Sequence, residues 1–131
     1  MAAKEPRASQ EEQDQRIIHY RDVPPIELIQ GIKGHLVSAE RIMINVLTAQ
    51  PHSVMPNHRH ENEQLMIVLD GAADVAIDGK LYHMEKGDVV IFPSNADHAA
   101  YISDKGFHVI DIFSPPRQDF LEKMEEAKKR E

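Results

Sequence analysis

Two histidines lie two residues apart in Pro56-Asn57-His58-Arg59-His60, and Gln64 follows four residues later. Alternate side chains of an extended strand share a face, so His58 and His60 point the same way and offer neighbouring positions around one metal ion. Gln64 has the same parity, unless a bend after His60 alters it. Glu63 is an alternative fourth donor, but its parity puts it on the opposite strand face, so Gln64 ranks ahead of it. His98 lies 40 residues after His58, in the turn-rich PSNADHAAY, and a third imidazole from a neighbouring strand completes a facial set. A glutamine oxygen leaves a divalent cation its full charge, where a glutamate would cancel one unit. That donor set favours Lewis-acid work on an anionic substrate over the two-His, one-carboxylate chemistry of iron oxygenases. The plainer alternative is a group of hydrogen-bonded interior histidines with no ion. His19, His35, His83 and His108 have no partner at ligand spacing and read as surface or cross-strand residues, and His52 as a turn residue.

A second group of chemistry-bearing residues lies near the C-terminus, in Val109-Ile110-Asp111-Ile112-Phe113-Ser114-Pro115-Pro116-Arg117. Asp111 and Phe113 share a strand face. A carboxylate facing a core without a partner costs stability; one facing a polar cavity is a candidate general acid or base. Phe113 would wall that cavity. Arg117, turned by the two prolines, would return over its mouth and hold a carboxylate through its two-pronged guanidinium. The structural alternatives are an Asp111–Arg117 ion pair that pins the C-terminus to the body, and plain core packing for Phe113.

These residues need a scaffold, and the rest of the chain describes one. The 131 residues suit a single domain. From about residue 17 to 114, short Ile-, Val- and Leu-rich runs alternate with Pro, Gly, Asn and Asp: IIHY, IELI, RIMINVL, QLMIVL, ADVAI, KLYHM, DVVIF, HAAYI and FHVIDIF. That spacing predicts an all-β antiparallel sandwich or barrel, with hairpin turns at Asp70-Gly71 and Asp78-Gly79. Residues 1–16 are polar and aperiodic and read as a flexible arm, and residues 17–117 as the β domain. In residues 118–131, Phe120, Leu121 and Met124 recur at helical spacing, which predicts a short amphipathic helix. Its charges pass from acidic to basic, in the sense that suits the helix dipole.

Composition narrows the function. There is no cysteine, hence no disulfide, thiolate ligand or thiol nucleophile. The formal net charge of −7 opposes a general role on nucleic acid. No apolar run approaches the roughly 20 residues of a membrane helix, and the first 16 residues lack the apolar centre of a secretory signal. The expectation is a cytoplasmic protein, paired as a homodimer that would protect its edge strands.

With these residues in view, the sequence resembles the cupin superfamily. His58, His60, Gln64 and Gly71 follow the spacing of the first cupin motif, with Gln in the place of Glu and His52 in the place of its opening Gly. Gly87, Pro93 and His98, within GDVVIFPSNADH, follow the second, with Asn95 for a Gly and Ile102 for the closing Asn. Asn95 is a mild change, because Asn tolerates left-handed backbone. The resemblance implies a single-domain double-stranded β-helix, or jelly-roll barrel. The run from Asp111 to Arg117, with Glu63-Gln64, further looks like the KdgF-type subgroup of pectin and alginate breakdown, which converts cyclic 4,5-unsaturated uronates to linear keto forms. The resemblance implies one divalent ion (Zn, Ni, Mn, Co or Fe) on His58, His60, Gln64 and His98, with Asp111, Phe113 and Arg117 in the active site. The implied activity is ring opening or tautomerisation of a small anionic sugar or keto acid. The alternatives are a metal-dependent oxygenase and a small-ligand-binding cupin without turnover.

Overall fold

In the computed structural model, which describes residues 2–130, eight strands build one antiparallel β structure. They are β1 (Ile26–Ile29), β2 (Ile32–Ser38), β3 (Met43–Ala49), β4 (Val54–His58), β5 (Glu63–Ile77), β6 (Lys80–Glu85), β7 (Val89–Phe92) and β8 (His98–Ser114). The strand order is β1-β2-β3-β8-β5-β6, with β4 paired to β8 and β7 paired to β5. Helix α1 (Gln10–Arg16) precedes the strands and α2 (Gln118–Lys129) follows them.

The two long strands organise everything else. QLMIVL and ADVAI, separate in the sequence reading, are one strand of 15 residues, and HAAYI and FHVIDIF are one of 17. The first half of β5 lies between β7 and the second half of β8; its second half lies between β6 and the first half of β8. Each long strand therefore serves two layers and must bend between them. The bend is where Asp70-Gly71 was expected to be a hairpin turn. It is a bulge instead: the β5–β8 register slips between Val68 and Asp70 and again between Gly71 and Ala73. Gly71 (φ 81°) faces Gly106 (φ 74°) there, and a Cβ on Gly71 would run into the Gly106 carbonyl oxygen. Asp78-Gly79 is the hairpin turn the sequence predicts. Both residues have positive φ, 48° and 82°, and they join β5 to β6.

Strand alternation puts one face of every strand inward. Ile32, Leu47, Ala49, Met66, Val68, Val75, Phe92, Phe107 and Val109 form the main core, all under 8% exposed. A second cluster of Leu36, Met43 and Phe113 is closed by Phe120 of α2, with Leu121 and Met124 partly buried beside it. The predicted C-terminal helix exists because that apolar stripe finds this patch.

Two segments differ from expectation. The N-terminal stretch holds a helix without burying any of its residues. Its cause is local: Ser9 Oγ accepts from the Glu12 amide (3.1 Å), and the Glu12 carboxylate accepts from the Ser9 amide (2.8 Å). The IIHY run forms no strand. Ile17 and Ile18 are 71% and 54% exposed, and one 3₁₀ turn follows at Tyr20–Asp22.

The two glycine environments predict an asymmetry. Gly79→Ala meets open space and costs only its left-handed backbone, about 1–2 kcal/mol. Gly71→Ala adds a collision with backbone and costs more than about 4 kcal/mol. Urea unfolding of the two variants beside wild type measures the difference.

Candidate metal centre

The three histidines come together from three places in the chain. His58 ends β4 and pairs in register with His98, which opens β8. His60 lies beyond the end of β4, so strand parity does not place it; the loop does. That loop is tied down by the segment carrying the second motif. The Asn95 amide donates to the His60 carbonyl (2.8 Å) and Ser94 Oγ to the Glu61 carbonyl (2.6 Å). From inside the loop, Asn62 Nδ2 donates to the Pro115 carbonyl (2.6 Å). Asn95 has φ 62°, the left-handed backbone that its type tolerates.

Each of the three rings is oriented in the same way. Nδ1 of His58, His60 and His98 sits 2.8, 2.9 and 2.9 Å from the carbonyl oxygens of Pro56, Asn62 and Ala96. A carbonyl only accepts, so each Nδ1 carries the proton and each Nε2 presents a lone pair. One nitrogen from each ring forms a group within 4.8 Å of one another. The His58 and His98 ring centroids are 4.2 Å apart and those of His60 and His98 5.0 Å.

Burial favours the neutral form of His60 and His98. It pushes His98 down to about 4, and it also lowers His60, with the Arg117 charge adding to the effect. His98 Nε2 is buried with no hydrogen-bond partner. His60 Nε2 faces Gln64 Oε1 at 3.1 Å, lone pair to lone pair. The Gln64 amide has this orientation because its Nε2 donates to Asp111 Oδ1 (3.0 Å), an atom that can accept it. Three imidazole lone pairs and an amide oxygen turned toward one another, one of them orphaned, repel unless a cation lies among them. The residues therefore fit one divalent ion, and imidazole with amide oxygen suits several first-row metals. Glu63 is exposed on the other strand face and takes no part.

Behind this cluster runs a cavity of about 60 Å³, lined by His58, His98, Gln64, Asp111, Phe113 and Arg117 together with an apolar wall that includes Leu47, Met55 and Met66. Asp111 is 5% exposed, and burial pushes its carboxyl up to about 7. Phe113 packs its ring edge-on to His60 and to Phe120, 5.6 Å from each, so it belongs to the core and to the cavity wall at once. Arg117 occupies the N-cap position of α2 without a side-chain capping bond, and it lies over the Phe120 ring at 3.8 Å. Its Nε and Nη2 donate to the two oxygens of Asp119 (3.2 and 2.7 Å). The ion pair envisaged between Arg117 and Asp111 is thus made with Asp119 instead, and Asp111 is left to Gln64.

The sequence reading missed three neighbours of the site. Phe92 packs against His98 at 4.8 Å, Asp119 orients Arg117, and Asn45 lines the cavity from β3. Asn45 had a visible signal: it is the one polar residue among the inward positions of the apolar run Met43–Leu47.

Fold and site define a class, and sequence comparison agrees. The cupin-domain family model matches residues 45–113, and the chain belongs to that family. It is 28% identical over 102 residues to the pectin degradation protein KdgF of Dickeya dadantii (strain 3937), covering 76% of this chain and 93% of that one. Among solved structures, KdgF from Halomonas sp. superposes with a TM-score of 0.70 at 26% identity, covering 76% of this chain and 93% of the other. An RmlC-like cupin from Shewanella frigidimarina NCIMB 400 does so with 0.72 at 25% identity, covering 79% and 96%.

If these nitrogens hold a metal, protein stripped with a chelator regains thermal stability when Zn²⁺, Ni²⁺ or Mn²⁺ is added. At a hundredfold excess over Kd the gain is about 2.7 kcal/mol. His98→Ala is expected to weaken binding by more than about 100-fold and to remove the gain. Scanning calorimetry with elemental analysis reads both effects.

Proposed function

We propose that this protein is a metal-dependent isomerase that opens the ring of a 4,5-unsaturated uronate to the linear keto form. The observation that carries this reading is the continuous polar path from the imidazoles through Gln64 to Asp111, opening on one cavity with Arg117 among its lining residues. Similarity to KdgF proteins over three quarters of the chain adds support. A divalent cation bound by His58, His60, Gln64 and His98 would supply positive charge for the substrate's carboxylate and for oxygen that becomes anionic during reaction.

The remaining work falls to side chains. Arg117 has Nε and Nη2 committed to Asp119, which leaves Nη1 to meet the substrate carboxylate. Ring opening breaks the bond between C1 and the ring oxygen. The anomeric hydroxyl loses its proton as C1 becomes a carbonyl, and the ring oxygen leaves as the enol oxygen on C5. The enol then becomes a ketone as C4 gains a proton. The sum is an isomerisation: one proton is taken from oxygen, one is given to carbon, and no oxidant is consumed. Among the described residues Asp111 is the one carboxyl group lining the cavity, and it is the residue assigned to carry that proton. Phe113 supplies an apolar wall beside it. Met55 and Met66, unbranched and adaptable, are the residues that would repack to admit a six-carbon acid into so narrow a cavity.

Turnover is followed by loss of the ultraviolet absorbance of the conjugated alkene. Asp111→Asn keeps an acceptor for Gln64 but cannot carry the proton; kcat is expected to fall by about 10²–10⁴-fold with metal content unchanged. Arg117→Lys is expected to raise KM by about tenfold, because an ammonium cannot grip Asp119 with two donors and still present a third to the substrate carboxylate. A metal-loaded wild type that leaves the unsaturated uronate untouched would refute this reading.

A further inference from the structure

Asn45 is fully buried, at 0% exposure, and neither Oδ1 nor Nδ2 of its amide has a hydrogen-bond partner. Buried amides are almost always paired, so a residue with both ends free calls for a cause. Its position supplies one. Asn45 is the register partner of Asp111 across β3 and β8. Asp111 accepts from Gln64 on β5, and Gln64 faces His60. Asn45 is thus the far end of one polar row that crosses three neighbouring strands from the imidazoles. The cavity beyond that row is walled by Leu28, Ile32, Leu47 and Met66. Every other member of the row has a partner or a free atom directed at the histidine cluster, and Asn45 alone has neither.

The space around Asn45 is made for it. On β2, residue 34 is glycine, and a Cβ there would overlap the Asn45 amide oxygen. Gly34 has an ordinary negative φ, so its lack of a side chain answers to room and not to backbone conformation. Two strands are therefore shaped to keep an amide whose hydrogen-bonding groups the protein itself does not use.

We propose that Asn45 is a substrate-binding residue, whose amide donates to an oxo group and accepts from a hydroxyl at the end of the substrate remote from the metal-side carboxylate. An amide suits both sides of the ring opening at that end, where the anomeric hydroxyl becomes a carbonyl, since it offers an acceptor and a donor without changing its own charge. The site then selects a hydroxy- or oxo-acid that carries a second oxygen function on its far side, and discriminates against an acid with hydrocarbon there. A site built to hydrogen-bond a substrate oxygen rejects the analogue that lacks it far more strongly than an apolar pocket rejects an extra group. This inference rests on the isomerase reading for its ligand, but not for its structural half.

The test is Asn45→Leu, nearly equal in shape and free of polar atoms. A structural asparagine would be missed, and the melting temperature would drop by several degrees. An asparagine held unpaired for a ligand would not be missed, and the melting temperature would stay level or rise. With metal-loaded protein and 4,5-unsaturated galacturonate, kcat/KM is expected to fall about 10- to 100-fold, mainly through KM. An unchanged kcat/KM, or a lowered melting temperature, overturns the proposal. Should wild type itself fail to convert the uronate, the isomerase reading falls, and the melting temperature alone decides whether Asn45 is structural or kept for a ligand.

Discussion

Three short bonds from imidazole Nδ1 to backbone carbonyl oxygens govern this structure. They cost the protein little, because each carbonyl lies within two residues of its histidine or of the loop that carries it. They fix which nitrogen is protonated, and therefore which one offers a lone pair. Without them three histidines near one another would be a mobile cluster with mixed tautomers. With them the cluster is a preformed and mutually repulsive set of donors. The energy that holds those donors together comes from the β structure, and a cation would repay part of it on binding.

The same logic extends one step outward. Gln64 could turn either end of its amide toward the histidines, and only one end is useful there. Asp111 settles the matter by accepting the NH₂ group. Being buried, Asp111 is itself held well above the usual carboxylate range, so the group that orients the glutamine is also the one whose proton is most easily exchanged near neutrality. Arg117 stands apart from this pair. Stacked on Phe120 and held by Asp119, it ties the position of α2 to the mouth of the cavity. Packing of the helix against Phe113 and Leu36 thereby becomes part of how the site is arranged.

The chain spends unusual backbone to achieve this. The two long strands, β5 and β8, each contribute to both layers, and they bend opposite one another at Gly71 and Gly106. Because they are continuous, Gln64 near one end of β5 and Asp111 near one end of β8 share a rigid frame with His98 at the other end of β8. A site assembled on strands in this way holds its groups more tightly than one assembled on loops. His60 is the exception: it sits on a loop and needs the braces from Ser94, Asn95 and Asn62.

Much was determined by the sequence alone. Alternating apolar residues and turn residues required an all-β fold. The apolar stripe Phe120, Leu121, Met124 required a helix with a surface to cover, and the spacing of His58, His60, Gln64 and His98 named the residues that meet. The first two are local properties, set by periods of two and of 3.6 residues, whereas the metal-site set was legible through its likeness to a known motif. Tertiary structure decided the rest. Asp70-Gly71 has the composition of a hairpin, yet becomes a bulge because Gly106 packs against it. His60 joins the cluster through braces from residues more than thirty positions away. Arg117 pairs with its near neighbour Asp119, leaving Asp111 to Gln64. Asn45 becomes notable only once its neighbours across the strands are known. Each of these depends on which distant segment lies alongside, and a single chain's local pattern carries no record of that until the strands have paired.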